Sequence, residues 1–91
     1  MEYLIEKNRI ISKDAEGKII AAVTFPAIDD KTVNIDHTFV DPSLRGQDIA
    51  AELLQKAYAE IKRQNKTARA TCSYAQKWFE QNKDCRDIIE P

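Results

Sequence analysis

Cys72, Tyr74, His37 and the run Arg45-Gly46-Gln47-Asp48-Ile49-Ala50 are the residues of this chain whose types and spacing could do chemistry. The run sits where an alternating strand pattern ends and an amphipathic helix begins. The first turn of a helix exposes N–H groups that no intrahelical carbonyl satisfies, and the dipole adds positive character. A loop of this kind can therefore hold a phosphate. Gly46 lets the backbone come close, and Arg45 adds a charged contact. Asp48 works against this, because its carboxylate can cap the same N–H groups and repels a phosphate nearby. On loop chemistry alone two readings stand: a pyrophosphate cradle, or a plain loop with an aspartate N-cap.

Cys72 comes just before Ser73-Tyr74-Ala75-Gln76, which reads as a capping box with Ser73 at the N-cap and Gln76 three residues on. A cysteine ahead of a helix N-terminus is biased toward thiolate, hence toward nucleophilic chemistry. The plainer alternative is a small buried residue packing strand against helix. His37 falls in line with Val33, Ile35 and Phe39 on the apolar face of the alternation from Thr32 to Val40. It is either a core histidine bonded to backbone or a base that meets Cys72 across the sheet. Tyr74 is a proton donor or packs beside Trp78. The second cysteine, Cys85, has no such position, and two cysteines at this spacing make no zinc pattern. No metal site is expected.

The elements that must position these residues follow from periodicity. Arg9 to Lys13 and Lys18 to Phe25 read as antiparallel strands joined at Gly17. Asp29-Asp30 marks a turn, Thr32 to Val40 alternates as a third strand, and Asp41-Pro42-Ser43 ends it. Ile49, Ala50, Leu53, Leu54, Ala57, Tyr58 and Ile61 recur at helical steps, predicting a helix from Gln47 to Gln64. Glu52 and Lys56 are spaced for an ion pair on its solvent side, and Lys62, Arg63 and Lys66 suit its C-terminus. Thr67 to Cys72 reads as a fourth strand and Tyr74 to Asn82 as a second helix. The result is one α/β (α+β) domain over residues 1–91, ordered β-β-β-α-β-α, with the long helix crossing over after the third strand.

Bulk composition narrows the function. Charged residues make up 32% of the chain, yet the net charge is −1, so no electropositive field points to nucleic acid. No apolar run approaches the ~20 residues a membrane span needs. The N-terminus lacks a signal-peptide pattern, and a cytoplasmic protein with both cysteines reduced is expected.

Several ordered motifs together resemble the GNAT superfamily of N-acetyltransferases, and within it the very small stand-alone members. These motifs are His37-Thr38, Pro42-Ser43-Leu44-Arg45-Gly46, the helix from Ile49 to Gln64, and Cys72-Ser73-Tyr74-Ala75. In the superfamily's loop pattern, Gln/Arg-x-x-Gly-x-Gly/Ala, Arg45 and Ala50 match and Asp48 replaces the middle glycine. The resemblance implies a mainly antiparallel GNAT-like sheet and acetyl-coenzyme A (acetyl-CoA) as cofactor. It assigns the cofactor to Phe39, Val40, Arg45, Gly46, Gln47, Asp48, Ile49 and Ala50, and catalysis to Cys72, His37 and Tyr74. Cys72 would accept the acetyl group or line the channel near the thioester, and Tyr74 would protonate the departing thiolate. Some of Lys62, Arg63, Lys66 and Arg69 would reach the 3′-phosphate. The acceptor is a small-molecule or protein amine, and the chain a monomer or weak homodimer. The alternative function is a catalytically weak or inactive module of the same fold that binds CoA or a partner, because Asp48 stands in the loop.

Overall fold

A computed structural model describes residues 2–90. Strands β1 (Leu4–Glu6), β2 (Arg9–Lys13) and β3 (Ile19–Thr24) run as an antiparallel meander. The turn between β2 and β3 is closed by Gly17 at φ +85° and by Asp14, whose carboxylate accepts the Glu16 and Lys18 N–H groups at 2.9 Å. Next come β4 (Thr32–Ile35), β5 (His37–Val40), a short 3-10 turn (Pro42–Leu44) and helix α1 (Ile49–Arg63). Strand β6 (Thr67–Ala70), helix α2 (Ser73–Gln81) and a 3-10 segment (Lys83–Ile88) complete the described chain. The expected α/β order with a crossover helix holds. Strand β1 is an addition that its three exposed residues did not announce.

One feature departs from the alternation. The stretch expected as a single strand is two strands in two sheets: β5 pairs antiparallel with β3, in the order β1-β2-β3-β5, whereas β4 pairs parallel with β6. Asp36 makes the break. Its N–H donates to Thr24 O, and the Thr24 hydroxyl donates to its carboxylate, while Thr24 is already registered against His37. Two residues thus oppose one, and the side-chain alternation flips as at a β-bulge.

Register then sorts the two faces of the larger sheet. Ile5, Ile10, Val23 and Thr38 lie opposite one another in one row, and Ile10 and Val23 belong to the core. This face meets α1, whose Ile49, Leu53, Leu54, Ala57 and Ile61 are buried. Ala75, Trp78 and Phe79 of α2 join the same core, with Trp78 and Phe79 ring centroids 4.9 Å apart edge to face. The rows Glu6–Arg9–Thr24–His37 and Leu4–Ile11–Ala22–Phe39 face away from α1. His37 is exposed and off the core, contrary to the expected apolar face.

Two further expectations change in detail. Glu52 and Lys56 make no ion pair among the described residues. Both engage Tyr3, which donates its hydroxyl to Glu52 at 2.6 Å and lies 5.0 Å beneath Lys56 Nζ. The capping box does not form either: Cys72 is the N-cap of α2 without a side-chain cap bond, Ser73 lies inside the helix, and Gln76 donates to Ala70 O at 2.8 Å.

Candidate functional site at the fork between the two sheets

The two sheets part at Ile35. Its carbonyl accepts N–H groups from Thr71 at 3.1 Å and Cys72 at 3.2 Å, the last ties before β5 and the start of α2 diverge. On the far side of β5 the Asp41 N–H donates to Ile20 O at 2.8 Å, which fixes the pairing parity of the strand. His37 and Phe39 therefore direct their backbone groups toward β3, and Thr38 and Val40 direct theirs to the open edge at the fork.

Cys72 stands at this fork, with Sγ 3.6 Å from Thr38 Oγ1. Burial pushes the thiol toward its neutral form. The Ala75 and Tyr74 N–H groups at the start of α2, together with the hydroxyl and N–H of Thr38, outweigh that and hold its pKa below the ordinary thiol value. Cys85 has the opposite environment: burial, then Asp87 and Asp84, push its pKa up. Both thiols are free. His37 does not reach Cys72, because the bulge turns it to the opposite face; the neighbouring Thr38 occupies the expected place. The sequence marked Thr38 only as part of the His37-Thr38 motif, and the alternation set it on the face opposite His37, since its place beside Cys72 depends on the flip at Asp36.

The phosphate-type loop lies one step along β5. Asp41 caps the 3-10 turn by accepting the Ser43 N–H at 2.9 Å. Gly46 then takes φ +84° and Asp48 φ +56°, both left-handed. Asp48 is the N-cap of α1 but makes no side-chain cap bond, so the expected competition for the helix N–H groups is absent. The first intrahelical backbone bond runs from the Glu52 N–H to Asp48 O at 3.1 Å, which leaves the N–H groups of Ile49, Ala50 and Ala51 without helix partners.

Val40, Leu44, Arg45, Gly46, Asp48, Ile49, Ala50 and Tyr74 line a crevice of about 210 Å³ at this point. It brings Tyr74 to the loop and contains most of the expected cofactor residues. Gln47 instead lines a larger hollow of about 860 Å³ on the other flank of α1, with Asp48, Tyr3, Lys56, Trp78 and Asn82. Partial burial and the Glu52 carboxylate raise the Tyr3 pKa to about 12, so this wall stays protonated. Phe39 lies outside both spaces, on the outer face and 37% exposed. The basic residues expected near a 3′-phosphate are largely committed: Lys62 pairs with Asp87 at 2.7 Å, Arg63 with Glu60 at 2.6 Å and Arg69 with Glu90 at 2.7 Å. Arg45 lines the crevice itself, Lys56 lines the larger hollow with its ammonium over the Tyr3 ring, and Lys77 lies beside Tyr74. No cluster of metal-ligating side chains occurs among the described residues, and no described helix is long and apolar enough to cross a membrane.

Comparison with known proteins gives this geometry a context. The family described as GCN5-related N-acetyltransferase matches residues 9–88. The NMR solution structure of a GCN5-like protein from Staphylococcus aureus is similar at a TM-score of 0.80 and 28% identity, covering 98% of this chain and 87% of that one. A GNAT-family acetyltransferase from Elizabethkingia anophelis, solved with acetyl-CoA bound, matches at TM-score 0.62 and 19% identity, over 82% of this chain and 51% of its own. A Mycobacterium tuberculosis protein in complex with CoA matches at TM-score 0.65 and 13% identity, over 84% of this chain and 47% of its own. The chain thus spans about half the length of these two larger neighbours, whose likeness is one of fold. No curated protein matches it by sequence.

Proposed function

The chain belongs to the GCN5-related N-acetyltransferase family, and from that premise we propose that it is an acetyl-CoA-dependent acyltransferase that works at the fork between its sheets. The observation that carries this reading is the uncapped start of α1. Ile49, Ala50 and the left-handed Gly46 line the crevice, Ala51 lines the larger hollow beside it, and the Asp48 side chain makes no cap bond to their N–H groups. Such a donor set fits a pyrophosphate. Arg45 adds a cation, and the large hollow beside α1 supplies Lys56 within reach of a nucleotide end.

Acetyl-CoA supplies an activated acetyl group as a thioester. Everything else falls to the chain. The N–H groups of Thr38 and Val40 lie on the open edge of β5 at the fork; that of Thr38 is turned to the Cys72 sulfur, and that of Val40 can polarise a carbonyl. Cys72 sits within that gap with its thiolate favoured, so it is placed to accept the acetyl group. The new Cys72 S–C bond forms as the bond to the CoA sulfur breaks, and Tyr74 at the crevice can protonate the leaving thiolate. A neutral amine then attacks the Cys72 thioester, the S–C bond breaks to return the Cys72 thiolate, and the proton lost by the nitrogen restores the Tyr74 phenol as the amide leaves. His37 faces away from this path and is assigned no part in it. In the direct version of the same reaction the amine attacks without the Cys72 step.

Intact-mass measurement after incubation with acetyl-CoA tests the covalent route. One acetyl group on wild type and none on Cys72→Ala is the expected result. No adduct on wild type, with full amine acetylation by Cys72→Ala, would leave the direct route alone. A second reading is favoured by the position of Asp48, an acidic residue among those that line the crevice: a weak or inactive module of the same fold that binds CoA or a partner. The acceptor in the first reading is a small-molecule or protein amine, and the protein a cytoplasmic monomer or weak homodimer.

A further inference from the structure

Resting on the reading of Cys72 as acyl acceptor, we propose that Thr38 is a positioning residue that holds the Cys72 thiolate in place for attack. Three observations meet at this side chain. The bulge at Asp36 turns Thr38 inward, into the row of Ile5, Ile10 and Val23. The fork at Ile35 then brings Cys72 opposite it, with Sγ and Oγ1 3.6 Å apart. Pairing parity finally directs the Thr38 N–H to the same opening, so one residue presents both a backbone and a side-chain donor to one sulfur.

A hydroxyl suits this task because it rotates. With the thiol protonated, S–H donates to Oγ1. When that proton leaves to solvent, the Thr38 O–H turns and donates to the thiolate, and no partner in the site has to move. The Ala75 and Tyr74 N–H groups approach from α2 and the Thr38 pair from β5, so the sulfur is held from two elements. The titratable side chains on the elements meeting here are those of Asp36, His37, Arg69, Tyr74, Lys77 and Glu80, and none of these side chains is among the groups that act on Sγ, Tyr74 acting through its backbone N–H alone. The thiolate is therefore stabilised by hydrogen bonds without a cationic partner, which distinguishes this site from a Cys–His pair.

The test is the pH dependence of iodoacetamide alkylation at Cys72, measured on the full chain in a Cys85→Ser background. The wild-type midpoint should lie below the ordinary thiol pKa of about 8.5. Thr38→Val keeps the shape and removes the hydroxyl; it should raise the midpoint by about half a unit to one unit, slowing alkylation at pH 7 by roughly three- to tenfold. Thr38→Ser should restore it. Equal midpoints in wild type and Thr38→Val, or equal shifts in the Val and Ser variants, would overturn the proposal. If Thr38→Val does not fold, Thr38→Ala against Thr38→Ser gives the same comparison. Alkylation needs no acetyl-CoA, so the two readings separate. A midpoint that moves without an acetyl adduct retains the positioning and removes the acyl-acceptor role. An adduct with an unmoved midpoint does the reverse.

Discussion

Asp48 combines a backbone that serves phosphate binding with a side chain that opposes it. At φ +56° it holds the left-handed conformation that glycine adopts without strain and that aspartate tolerates better than most residues. The turn therefore survives the absence of the family's loop glycine, while an acidic residue remains among those that line the crevice. Removing it has two consequences of similar size. Asp48→Gly relieves the backbone at up to about 1 kcal/mol, partly offset by the greater freedom of glycine when unfolded. It also removes a repulsion of about 1 kcal/mol toward a phosphate a few ångströms away in water, roughly a fivefold gain in affinity. CoA should bind Asp48→Gly about fivefold more tightly, with thermal stability unchanged or slightly raised; equal or weaker binding would show that the carboxylate is no obstacle. Cys72 was legible as a candidate because a cysteine before a helix is visible in the sequence. Its partner was not, since inserting one residue into a ladder exchanges His37 for Thr38 and leaves the hydrophobic pattern intact.

The helices follow the same division between what a pattern dictates and what tertiary contacts decide. Helix α1 was expected from Gln47 to Gln64 and runs from Ile49 to Arg63, because its apolar stripe is long and periodic. The groups on its first turns are set by contacts distant in sequence: Tyr3 draws in both Glu52 and Lys56, and no local spacing rule shows that. Helix α2 begins one residue earlier than expected, which removes the reason for a capping box. With Cys72 at the N-cap, the Ser73 hydroxyl has no cap to make, and Gln76 ties the helix start back to β6. Ser73→Ala should accordingly change stability by less than about 0.5 kcal/mol in urea unfolding, whereas loss of a true N-cap costs about 1 kcal/mol. A cost near the larger figure would mean that α2 starts at Tyr74 and that Cys72 is farther from the helix N–H groups than the site requires.

At the scale of the molecule, two sheets share one core and open at a single place. The hydrophobic pattern of β2, β3, β4 and α1 made the layers readable, since each element presents one apolar face and the faces have to meet. The division into two sheets was not readable, because Val33, Ile35, His37 and Phe39 keep a period of two straight through the break. That division creates the fork, which sets Cys72 against Thr38 of β5, two residues before the Val40 that lines the opening at the uncapped start of α1. The central claim is that this opening binds CoA through the backbone of residues 46–51. Calorimetric titration of CoA and acetyl-CoA into the wild-type protein at moderate salt tests it most directly. The account predicts one site with a micromolar-range dissociation constant, about 8 kcal/mol of binding free energy. No detectable heat and no shift in melting temperature with either ligand would contradict it.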